Sequence, residues 1–161
     1  MHRDPELQEL LDRSRIADAV QAYCDHADHA DVEAILGLFT DDAVLDLGGG
    51  ALHRGKAELR EVFIDRFALY TSTSFHCSGL RLVRYDGTTA TTSTYLHAFH
   101  ESVEQHRQMQ IWGRFEDEMV NRSGVWLFQQ RHLRVAGLSH APSVEVPARF
   151  SRIERMPPPP Q

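Results

Sequence analysis

A chain of 161 residues, 42% hydrophobic and 25% charged, suits one soluble domain with one core. A formal net charge of -6 and a single lysine, Lys56, argue against a nucleic-acid partner, which needs a clustered basic face, and against attraction to anionic lipid. No apolar run approaches the roughly 20 residues of a membrane span, and MHRDPELQEL is too charged for a signal peptide.

Cys24 and Cys77 are the only cysteines and lack CxxC spacing, so a disulfide framework is not expected and a reducing cytoplasm is. Asp4-Pro5 supplies an N-cap and a first-turn proline. Ile16, Val20, Tyr23 and Ala27 recur at helical spacing with Cys24 beside them, which predicts a long first helix to about Asp28. Asp31 caps a short second helix, predicted over residues 32–39. A turn at residues 40–42, a strand at 43–47, a triple-glycine break and a third helix over 56–68 follow. Long strands are then predicted over 74–85, 88–101, 106–120 and 125–135, with hairpin turns at Asp86-Gly87 and at 121–124. Helices first and an antiparallel meander afterwards make an α+β layout, one curved sheet folded around the helices and enclosing a pocket. The domain is expected to span residues 1–138, with a C-terminal extension over 139–161 that ends in MPPPPQ.

Period two assigns strand residues to faces. His76, Ser78, Leu80 and Leu82 share one face, as do Ala90, Thr94, Leu96, Ala98 and His100 on the next strand. Met109, Ile111, Gly113, Phe115 and Met119 alternate with polar residues and must be buried. Arg131 falls with Val125, Leu127 and Leu133. Tyr95, Phe99, Trp126 and Phe128 fall on the opposite face, where a monomer would expose a large apolar patch, so a homo-oligomer is expected.

The stretch AYCDHADHAD gathers three carboxylates and two imidazoles. At about 100° per residue, Asp25 points away from the apolar stripe and Asp28 lies on its flank. His26 and His29 point to solvent, and His97 and His100 lie on opposite strand faces, so no metal site is expected.

The segments YCDHADHADVEAILGLFTDDAVLDL, SFHCSGLRLVRYDGTTATTSTYLHAFHE and GRFEDEMVNRSGVWLFQQRHL resemble the SnoaL-like group of the nuclear-transport-factor-2-like superfamily, over about residues 10–133. The resemblance implies a cone-shaped α+β barrel with three N-terminal helices on a strongly curved, mostly antiparallel sheet around an apolar pocket. It includes scytalone dehydratase, bile-acid 7α-dehydratase and hexachlorocyclohexane dehydrochlorinase, lyases in which a strand histidine acts as base beside a helix-end aspartate. By this resemblance His76 is the base and Asp28 its orienter, with Tyr23, His100 and Arg131 as further catalytic groups. Leu47, Gly113 and Phe115 stand where scytalone dehydratase has polar pocket groups, which implies a less polar substrate. Leu80, Leu96, Ile111 and Phe115 are the expected substrate wall.

The combined expectation is a cofactor-independent lyase or isomerase, in the first instance a dehydratase. It would act on a small hydrophobic molecule by general-base proton abstraction and assemble as a dimer or trimer. A non-catalytic ligand-binding or assembly domain is the alternative, and epoxide or ester hydrolysis the third.

Overall fold

Asp4 accepts the Glu6 N–H at 3.0 Å and so caps α1, which runs Pro5–Asp28 in the computed structural model. The structure describes residues 4–104 and 107–144. Asp31 caps α2 (Val32–Gly37) by accepting the Ala34 N–H at 3.0 Å, as the sequence predicts. There follow β1 (Phe39–Asp46), β2 (His53–Arg54), α3 (Gly55–Ala68), β3 (Tyr70–Tyr85), β4 (Thr89–Ser102), β5 (Arg107–Arg122) and β6 (Val125–Pro142). The strand order is β2-β1-β6-β5-β4-β3, antiparallel throughout except for the parallel β1–β6 pair. The sheet is curled and not closed, so β3 remains an edge strand.

Several elements differ from expectation, among them β2, which the sequence reading lacks, and β3, which begins at Tyr70. β1 begins at Phe39, because Phe39 pairs with Phe128 of β6 and the predicted turn at residues 40–42 is drawn into the strand. Helix α2 therefore stops at Gly37. β6 continues past the expected end to Pro142, held by the ladder with β5 that reaches Arg107. His106 and the proline-rich end, residues 156–161, lie outside the described residues.

The inner face of the curl receives α1. Ile16, Val20, Tyr23 and Ala27 of its apolar stripe are all buried, against Phe39, Phe63, Phe115 and Phe128 among others. At the other end of β3, Asp12 is fully buried and accepts from Tyr85 Oη at 2.8 Å, Gln8 Nε2 at 2.9 Å and Arg15 Nη1 at 3.1 Å. That carboxylate ties the first half of α1 to the sheet, and burial needs this many donors to be tolerated. No helix among the described residues is long and apolar enough to cross a membrane.

Register shifts reset the strand faces, among them one in β3 and one in β6. In β3, Ser78 pairs with Tyr95 but Arg81 pairs with Ser93, so one extra residue is inserted at Gly79, whose φ of 62° suits glycine. Leu80 and Leu82 face inward beyond the bulge, whereas before it the inward residues are Phe75 and Cys77. In β6, Phe128 pairs with Met119 but Gln130 pairs with Glu118. Trp126 and Phe128 are therefore as deeply buried as Arg131 and Leu133, and do not sit on the outer face as the simple alternation predicts. A one-residue slip inverts every side chain after it.

Tyr95, Phe99 and Trp112 remain on the outer face with His76 and His97, and Tyr95 is 65% exposed. A homo-oligomer that covers this patch is expected. Tyr95→Lys should then lower the light-scattering mass to that of a monomer, and a wild type already monomeric at micromolar concentration would refute it. The Tyr85–Asp12 contact makes a pH prediction. Burial and the neighbouring carboxylate push the Tyr85 phenol up to about 12 from an ordinary 10. The stability this contributes is fully present below about pH 10 and is lost as pH rises through about 12, because only the folded state still holds the proton between those values. The ultraviolet phenolate titration of wild type minus Tyr85→Phe should show that late ionisation.

Candidate active site

The last turns of α1 lie along β3, and Asp28 sits where the two meet. Its carboxylate accepts the Phe75 N–H through both oxygens, at 3.0 and 3.2 Å. An edge strand has outward N–H groups to offer, and two residues earlier on β3 Thr73 Oγ1 donates to the Ala27 carbonyl at 3.4 Å.

His76 is not beside that carboxylate. It pairs across the ladder with His97, is exposed on the outer face, and its Nε2 meets Ser74 Oγ at 3.0 Å. The expected placement of His76 with Leu80 and Leu82 fails because the count along β3 passes through the extra residue at Gly79. The inner-face position next to Asp28 belongs to Phe75.

The inward histidine is His100 of β4. It is 6% exposed, with ring centroids 5.3 Å from Phe75 and 4.6 Å from Tyr70. Phe75 in turn meets Tyr23 edge-on at 6.4 Å. Tyr23 is 2% exposed and also packs against Phe39, Phe63, Phe115 and Phe128. Burial holds its phenol above the ordinary range even though Arg131 pulls the other way, so at neutral pH it is a proton donor.

Arg131 is the centre of the cluster. It is fully buried, with its guanidinium 4.2, 4.1 and 3.9 Å from the ring centroids of Tyr23, Phe115 and Phe128. Nε and Nη2 donate to the two oxygens of Asp117, each at 2.8 Å. Burial alone would lower its pKa, but the charge and hydrogen bonds of Asp117 outweigh that and leave it raised. Nη1 finds no acceptor among the described residues. Asp117 was not singled out in the sequence, although the signal was there: it shares parity with Phe115 and Met119, where a carboxylate has no reason to be unless paired.

The expected wall residues Leu80, Leu96, Ile111 and Phe115 all belong to the inner side. Leu96 and Phe115 are sealed in the core, and Leu80 and Ile111 are half-buried. The interior around Arg131 is filled by rings instead of standing open. On this face Phe75, Cys77, Leu80, Leu82 and Ile111 keep part of their surface. A cavity of about 490 Å³ lies on the outer face, lined by His76, Tyr95, His97, Trp112 and Arg114 among others. Another of about 330 Å³ lies beside α1 at Arg15 and Trp126. Among the described residues no three His, Cys, Asp or Glu side chains are placed to hold a metal ion.

Removing one member of the buried pair strands the other. Asp117→Leu should cost about 3–5 kcal/mol in chemical denaturation, and Asp117→Leu with Arg131→Met should recover much of the loss. Additive losses in the double variant would mean that the two side chains are not coupled.

A protein family described as a SnoaL-like domain matches residues 8–132. A scytalone dehydratase-like protein from Novosphingobium aromaticivorans is similar in structure at 21% identity and a TM-score of 0.78, over 93% of this chain and 98% of its own. A protein described as an aromatic ring hydroxylase from the same species is similar at 28% identity and a TM-score of 0.76, over 81% of this chain and 93% of its own. Hexachlorocyclohexane dehydrochlorinase LinA-type3 from Novosphingobium barchaimii is similar at 18% identity and a TM-score of 0.80, over 89% of this chain and 99% of its own. No curated protein matches by sequence.

Proposed function

Because the chain belongs to the SnoaL-like domain family, we propose that it is a cofactor-independent lyase acting on a small apolar molecule held at the inner face, with elimination of water as the first reaction to test. One observation carries this reading. The protic groups His100, Tyr23 and Arg131 share the inner face with an otherwise apolar lining, each linked to the next through ring contacts.

The roles follow from placement. His100 is the inward imidazole, suited to take a proton from carbon. As the C–H electrons form the double bond, the departing oxygen collects a proton from the neutral Tyr23 phenol. Arg131, whose Nη1 is uncommitted among the described residues, offsets the developing charge in a dry setting. Asp28 is a positioning residue that holds the end of α1 against β3 through the Phe75 N–H. Isomerisation would use the same abstraction and return the proton to another carbon.

The opposing reading is a binding domain without chemistry. It is favoured by the outward placement of His76, away from Asp28.

The experiment is a panel of small cyclic β-hydroxy ketones, followed by the absorbance of the conjugated enone formed on loss of water. His100→Ala should lower turnover on the order of 10²–10⁴, whereas His76→Ala should change it by less than about threefold. The reverse ranking would return the base to His76, and saturable binding without turnover would establish the binding domain.

A further inference from the structure

We infer that the outer face of the sheet carries a second binding site, which takes a planar aromatic carboxylate as the fourth ring of a cross-strand stack. The site is independent of the inner-face chemistry proposed above. Four directly paired positions run across β3, β4, β5 and β6: His76, His97, Trp112 and Gly137. Paired positions share a face, and neighbouring strands lie about 4.8 Å apart, close to the spacing of stacked rings. The first three side chains fill that row. The His76 and His97 rings are 6.1 Å apart, and His97 stacks on Trp112 at 5.1 Å with 9° between the planes. The fourth position has no side chain, and a Cβ built on Gly137 would meet nothing within 4 Å. The stack therefore stops one ring short, with Trp112 41% exposed beside the open position.

The cavity of about 490 Å³ lies here, between Trp112 and residues 134–136 of β6, and its size suits a small ligand. A register shift makes the room. Trp112 pairs with Gly137 but Gly113 pairs with Val135, so Ala136 is an extra residue in β6. Any side chain at Gly113 would run into the Arg134 carbonyl, so the two strands close up on one side of the cavity.

Charge selects the ligand. Arg114 and Arg134 stand directly opposite each other in the next row, and both line the cavity. Like charges so placed repel. Glu116 takes Arg134 at 3.0 Å, and among the described residues no acceptor meets Arg114. A carboxylate on a ring stacked over Trp112 would face that guanidinium, whose planar fork suits a carboxylate through two parallel hydrogen bonds. A second copy does not fit the same corner. A two-fold contact centred here would set the arginine pair against its own image, so the assembly expected on Tyr95 and Phe99 has its centre towards β4.

The test is isothermal titration of the full chain with 2-naphthoate, against 2-naphthalenemethanol as the uncharged match and cyclohexanecarboxylate as the non-aromatic one. Wild type should take up one 2-naphthoate per chain, at least about tenfold more tightly than either control. Gly137→Leu fills the open position, on backbone outside the left-handed region, and should weaken binding by more than about tenfold with the melting temperature kept. Arg114→Gln should weaken 2-naphthoate about tenfold and leave the alcohol unchanged. His100→Ala, on the inner face, should change nothing. The inference is overturned if wild type binds no 2-naphthoate, if Gly137→Leu binds as wild type does, or if His100→Ala is the variant that loses binding. It is overturned equally if Gly137→Leu lowers the light-scattering mass of a wild type larger than a monomer, which would give the position to a second copy. Should Gly137→Leu fail to fold, Trp112→Ala replaces it, with the same loss expected.

Discussion

A fully buried guanidinium is the constraint around which this interior is arranged. Arg131 cannot give up its proton, so the fold must supply a charge and a polarisable wall in place of water. Asp117 supplies the charge through a two-pronged hydrogen bond, and the faces of Tyr23, Phe115 and Phe128 supply the wall. These residues come from α1, β5 and β6. The pair therefore sets how the helix sits in the curl as well as what chemistry the interior can do. A matched pair of apolar side chains would fill the space without the desolvation cost, so stability alone is a poor reason for it.

The bulges make that arrangement possible. Without the extra residue in β6, Phe128 and Arg131 would lie on opposite faces of the sheet, and the cation would lose one of its three rings. The extra residue at Gly79 does the same for β3, letting Leu82 seal one end of the inner face while Phe75 and Cys77 line the other. Each bulge also leaves the outer face with a different set of side chains. His76, His97 and Trp112 gather there, with the rings of His97 and Trp112 stacked at 5.1 Å.

The inner face consequently has two regions. Around Arg131 it is a packed core of rings, and towards the end of α1 it is looser, with His100, Phe75, Cys77 and the Asp28 anchor close together along the chain paths. Chemistry in such a place would borrow rigidity from the first region and access from the second.

Element types and their order were legible in the chain because apolar periodicity, caps and turn residues are local. Asp4 and Asp31 cap the helices they were expected to cap, and the α1 stripe is the buried one. The α+β layout and the inward set Leu96, Ile111 and Phe115 follow from the same local patterns. Tertiary structure alone decided the rest. A bulge is a mismatch between two strands and leaves no period in either one, so His76 was assigned to the wrong face and Trp126 and Phe128 with it. Asp117 shows its purpose only when β6 brings Arg131 opposite, and Asp28 only when the end of α1 meets a main-chain N–H on an unpaired strand edge. A sequence records which side chains are available to each element, whereas the pairing between elements, fixed by long-range hydrogen bonds and packing, determines which of them face one another.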